Sequence, residues 1–213
     1  MPDLPAEQPR SHDVVRLETF VDAIAAIAIT LLVLPLVDLA SDLGDGSVRD
    51  LLTDHLSELE GFLLSFVIIA RLWFAQHHVM RSVVGYERRV GVLLLLWSLT
   101  VVVLPFPTAL VAEADDQAAA KCLYIGTMAA SSAVLSMLAA VIARRPELRG
   151  GAPAPDYATS AGNAVAFVVA LAVSLVWPAI GYLPLLLLAL VDPAVARLRR
   201  WRTSGRAPRR VGD

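Results

Sequence analysis

The chain has 213 residues, 57% of them hydrophobic, and a mean hydropathy of +0.64. Soluble domains are roughly 45–50% apolar, so this composition excludes an ordinary soluble globule. The net charge of −2 conceals a strong asymmetry along the chain, and the single cysteine, Cys122, excludes an intrachain disulfide.

Residues 1–16 are polar and rich in Pro and charge. The apolar run that follows is too long for a signal-peptide core and ends in no small-residue cleavage site, so it is expected to stay in the membrane. Spanning a ~30 Å hydrocarbon layer takes roughly 20 apolar residues. Segments of about that kind occur at 17–39, 57–79, 90–112, 122–143, 160–177 and 180–196. Trp177-Pro178-Ala179-Ile180-Gly181 interrupts the last pair and reads as the turn of a helical hairpin. One long kinked helix there, giving five spans, is the alternative.

Lys/Arg bias decides between them. With six spans and the N-terminus inside, 15 of the 18 basic residues are cytoplasmic, including seven arginines between Arg197 and Arg210. Five spans would put that basic tail outside. The expected fold is therefore an all-α integral membrane protein with six transmembrane helices and both termini cytoplasmic. Its parts are a cytoplasmic segment 1–16, a transmembrane domain 17–196 and a basic tail 197–213. The tail is suited to anionic lipid headgroups rather than nucleic acid. Residues 146–156 read as a flexible cytoplasmic linker.

The first span, RLETFVDAIAAIAITLLVLPL over 16–36, carries the informative pattern. Asp22 sits about 9 Å from its cytoplasmic start at 1.5 Å per residue. A carboxylate at that depth must face protein or water. His77 and His78, near the cytoplasmic end of the second span, are level with it, and Arg71 is deeper. An Asp22–His77 pair with Arg16 or Arg71 nearby would satisfy the charge, as glue between helices or as a proton site. Ile27, Thr30, Leu31 and Leu34 follow i, i+3, i+4, i+7 and share one face. That face suits either packing or a hydrophobic constriction that gates by dewetting, and periodicity does not separate the two.

Later segments carry less chemistry. Pro105 and Pro107 kink the outer end of the third span. Gly126, Ala129, Ala130, Ser132, Ala133, Ser136 and Ala140 form a small-residue packing face on the fourth, within or between subunits. Trp73, Trp97, Trp177 and Trp201 read as interfacial anchors. No Ser-His-Asp order, paired catalytic carboxylates, Gly-rich phosphate loop or metal-ligand set is present, so an enzyme is not expected and no cofactor is implied.

Arg16-x-x-x-Phe20-Val21-Asp22, followed by Ala-Ile-x-x-Thr-Leu-Leu-Val-Leu, resembles the transmembrane protein 175 family of potassium channels. Ser65-Phe66 with Trp73 and His77-His78 looks like the family's second helix, and Pro105-Phe106-Pro107-Thr108-Ala109-Leu110 like the end of its third. The resemblance covers roughly 16–112. It implies six helices per chain, a homotetramer in the plasma membrane, and first helices lining an axial pore. Ile27, Leu31 and Leu34 would then be apolar constrictions, Thr30 a ring of hydroxyls, and potassium the transported ion. Arg16, Phe20, Asp22, Arg71, Trp73, His77 and His78 would form the structural network holding the pore helix. Val21 replaces the usual serine, Gln76 stands where many members have His, and Leu94 lies where many have Asn. A proton channel or proton-coupled carrier using Asp22 and His77, and a non-conducting scaffold, are the competing readings.

Overall fold

The computed structural model describes residues 10–41, 47–113 and 118–155, with Gly162, Val165 and Val169. Among the described residues there is helix and no strand. The helices are α1 (His12–Leu31), α2 (Leu34–Ser41), α3 (Val48–Asp54), α4 (Leu56–Met80), α5 (Arg88–Val103), α6 (Pro105–Glu113) and α7 (Ala118–Ala143), followed by a 3-10 turn at Pro146–Arg149. Apart from the three isolated positions above, the expected fifth and sixth spans and the basic tail lie outside the described residues.

Ser11 starts α1 by accepting the Val14 N–H on its side chain, the usual use of a serine at an N-cap. Val14, Val21, Ala25, Ala28 and Leu32 are buried at helical spacing. Pro35 then ends the regular helix. It has no N–H for the Leu31 carbonyl, and its ring crowds that group. The chain tightens to i→i+3 bonds, Leu32 N–H to Ile29 O and Val33 N–H to Thr30 O, before α2 resumes. The first span is thus broken beside Leu31 rather than running straight through Leu34.

Pro105 and Pro107 act alike between α5 and α6, where the Leu104 N–H turns back to Val101 O at 3.2 Å. Among the described residues, three stretches are long and apolar enough to cross a membrane: His12–Leu39, Arg88–Ala112 and Ala118–Ala143. The 25-residue α4 is about 37 Å long at 1.5 Å per residue and runs among them. It packs on α1, α6 and α7, while α7 also takes α5 and α6.

Three features depart from expectation. Trp97 is fully buried, because it shares the core face of α5 with Val90, Leu94 and Val101 at i, i+4, i+7 and i+11 spacing. The large residues of α7 (Tyr124, Ile125, Met128, Leu135, Leu138) face the core, and the small-residue face is divided: Ser132 is buried and Ala129 packs on the core, while Ala130 and Ala133 point out. Residues 146–152 are docked rather than free. Leu148 is buried, and its carbonyl accepts the Val84 N–H at 2.8 Å. Val84 O in turn accepts the Ser11 N–H at 2.8 Å. Three segments distant in sequence thus meet at the end of the bundle holding the α1 N-terminus.

Candidate functional site

The first helix carries two unlike faces. Opposite its buried stripe, Ile27 is 59% exposed, Leu31 39% and Leu34 54%, and Thr30 is exposed beside them. These are large aliphatic groups that the described residues leave uncovered. The Thr30 hydroxyl donates to Ile27 O at 2.8 Å. Its one proton is spent on its own helix, so what it presents outward is acceptor lone pairs.

Asp22 is half-buried at the edge of the packed side. Its Oδ1 accepts the Trp73 indole N–H at 2.7 Å, a charge-assisted bond that ties α1 to α4. The expected direct Asp22–His77 pair is replaced by this bond. His77 joins the cluster through the Trp73 ring, with centroids 5.8 Å apart, and is exposed. Phe74 flanks the same indole at 4.8 Å. His78 is exposed, one residue farther round α4. Arg71 is half-buried, about 200° around α4 from Trp73, so the two are not on one face.

Arg16 and Phe20 are not drawn to Asp22. Both are exposed, Phe20 at 53%, on the free side of α1. The reason is helical phase. Taking Ile27 as zero, Arg16 and Phe20 fall within about 20° of it, whereas Asp22 is about 140° away.

Arg10 does the anchoring expected of Arg16. Its guanidinium contacts both Glu18 oxygens at 2.7 Å. It also donates to Val83 O at 2.9 Å and to Met80 O at 3.0 Å, at the C-terminal end of α4. Carbonyls there lack helical partners and carry the negative end of the dipole. The sequence signal for this clamp is slight: one arginine before a Ser N-cap, with partners about seventy residues on.

A second polar cluster escaped sequence reading. Ser65 Oγ on α4 lies 2.9 Å from Thr108 Oγ1 on α6 and 2.8 Å from Tyr124 Oη on α7. All three residues are buried. Thr108 donates to Leu104 O at 2.8 Å. Each hydroxyl has one proton, so the order is fixed: Tyr124 donates to Ser65, Ser65 to Thr108, and Thr108 to Leu104 O. Gln76, at the position where a His was anticipated, is buried.

The match to known proteins falls on this part of the chain. Residues 16–105 match the family model described as endosomal/lysosomal potassium channel TMEM175. A potassium channel of Streptomyces collinus is 35% identical over 98 residues, 46% of this chain and 47% of that protein. A potassium channel of Chamaesiphon minutus is 37% identical over 113 residues, 50% of this chain and 53% of that one. The aligned segments thus span about half the length of these curated relatives. The fold matches the crystal structure of a lysosomal potassium-selective channel TMEM175 homolog from Chamaesiphon minutus, with a TM-score of 0.70 and 25% identity over 85% of this chain and 96% of that one. The matched residues include the free column of α1, the Asp22–Trp73 tether and the Pro105 break, and it is over these residues that the chain is similar to the TMEM175 family.

Proposed function

We propose that this chain is the subunit of a potassium-permeable leak channel of the plasma membrane. Six helices per chain, both termini cytoplasmic, assemble as a homotetramer with four α1 helices around one axis. Ile27, Leu31 and Leu34 form apolar constrictions, and Thr30 adds a ring of acceptor oxygens between them. Ions move down their gradient with no chemistry and no cofactor. Selectivity comes from pore width and from those oxygens, which can replace part of a cation's hydration shell.

One observation carries the reading: α1 buries Val14, Val21, Ala25, Ala28 and Leu32 and leaves Ile27, Leu31 and Leu34 uncovered on the opposite side. The potassium-channel names of the relatives support the choice of ion. The Trp73–Asp22 bond supports a positioning role for Asp22, since an indole N–H holds its proton at neutral pH and makes a poor relay.

The test is reconstitution in liposomes, with potassium flux read against sodium. Wild type is expected to conduct potassium in preference, and Leu31→Ala/Leu34→Ala to conduct more with less preference. Absence of flux from both sinks the proposal. Flux that depends on pH and vanishes in Asp22→Asn would favour the proton pathway, and a monomer in detergent would favour a scaffold.

A further inference from the structure

The free face of α1 does not stop at Ile27. Arg16, Phe20, Ala23, Ile27 and Leu31 lie on one unbroken helix and within about 40° of a common line. All five are exposed. Asp13, also exposed, falls on the same line one turn before Arg16. If Ile27 and Leu31 face an axis, so do Arg16, about 16 Å farther toward the helix start, and Asp13 beyond it. We infer that Asp13 and Arg16 line the cytoplasmic mouth of the pore, as an outer acidic ring and an inner basic ring. This rests on the channel reading above and adds residues that the constriction does not include.

The two rings have opposite tasks. In a tetramer, the outer carboxylates concentrate cations at the entrance. The inner guanidinium groups, nearest the constriction, are the last charge an entering ion meets and set a barrier to it. Asp13 also sits in the first turn of α1, where the helix dipole favours a carboxylate. Arg16 sits in the second turn with its side chain exposed, and the anchoring of α1 to α4 is done by Arg10 instead. Among the described residues, the side-chain bonds that hold α1 are made by other residues. Phe20, between Arg16 and the constriction, gives the vestibule an apolar wall.

The experiment measures potassium flux from liposomes holding the full-length protein, at about 10 mM and about 1 M salt, where the Debye length is about 30 Å and about 3 Å. Arg16→Gln is expected to raise flux about three- to tenfold at low salt and less than about twofold at high salt. Asp13→Asn is expected to lower it by a similar factor with the same salt dependence. Arg81→Gln and Arg144→Gln, exposed at the same end of the bundle but not on α1, serve as controls and should leave flux within about twofold of wild type. A merely structural lesion would lower flux in both α1 variants, so opposite signs are the decisive result. If wild type conducts but Arg16→Gln matches it, or falls together with Asp13→Asn, this inference fails and the channel reading stands. It fails equally if Arg81→Gln raises flux as much as Arg16→Gln, because surface potential would then be the cause. If wild type passes no potassium, both fall together.

Discussion

Ser65 is the hub of the buried hydroxyl chain, and its removal gives the sharpest test of how the helices are joined. Ser65→Ala deletes two interhelical hydrogen bonds, to Thr108 on α6 and to Tyr124 on α7. Such bonds inside membrane proteins average about 0.6 kcal/mol each, less than a first guess from low dielectric would give. Two of them amount to about 1.2 kcal/mol. For a chain of this length, 1 kcal/mol moves Tm by about 2–4 °C, so Ser65→Ala should lower it by about 2–5 °C. Tyr124→Phe also deletes the bond between Tyr124 and Ser65. The double variant loses that shared bond once, not twice. Its cost should therefore fall about 0.6 kcal/mol below the sum of the two single-variant costs. The assay is thermal unfolding of the detergent-solubilised protein, followed by loss of the monodisperse elution peak. Additive single-variant costs would refute the shared bond.

Two more predictions concern the anchors of α1. Trp73→Phe keeps the aromatic packing but removes the donor to Asp22, so it should destabilise by about 1–2 kcal/mol. Asp22→Asn, which still offers an acceptor oxygen, should cost less, and the reverse ranking in the same melt would exclude the indole bond as the tether. Arg10→Lys replaces a fork that meets Glu18, the Met80 carbonyl at the end of α4 and the Val83 carbonyl just past it with a single ammonium, and should lower stability by about 1–2 kcal/mol. Equal Tm values for Arg10→Lys and wild type would show that the fork geometry contributes nothing.

What was legible in the sequence follows from what period can report. The 3.6-residue repeat of α1 records which of its sides is buried, so Ile27, Thr30, Leu31 and Leu34 separate from Val21, Ala25 and Ala28 without coordinates. Proline position likewise marks the α5–α6 break, and Pro35 marks another beside Leu31. Pairings between helices were not legible. Depth put His77 level with Asp22, but the rotation of α4 about its own axis brings Trp73 there, one turn earlier. The hydroxyls of Ser65, Thr108 and Tyr124 belong to three helices, and none of those helices shows a period that marks the contact. Arg10 lay in a Pro-rich polar segment, where a charge ordinarily means solvation.

The positions of the anchors bear on how α1 can move. Among the described residues, the polar side-chain links from α1 to other segments are made by Glu18, through Arg10, and by Asp22, neither beyond the middle turn of the helix. From Asp22 to Pro35 is about 20 Å of helix rise. Over that length α1 is held by Ala25, Ala28 and Leu32, with Ile29 partly buried beside them, against its neighbours. Apolar contact has no fixed direction, and alanine presents little to interlock, so small rotations or slides there cost less than breaking the Asp22 or Arg10 bonds. The Pro35 break adds a second freedom, because the turn at 32–33 already lacks regular i→i+4 bonds. A helix pinned near one end and loosely seated near the other moves most where Ile27, Leu31 and Leu34 stand. A few degrees of rotation there changes how far those side chains project toward the axis, while Arg16 and Asp13, close to the Arg10 clamp, keep their places. In the proposed channel the charged mouth is therefore the fixed element and the apolar constriction the adjustable one.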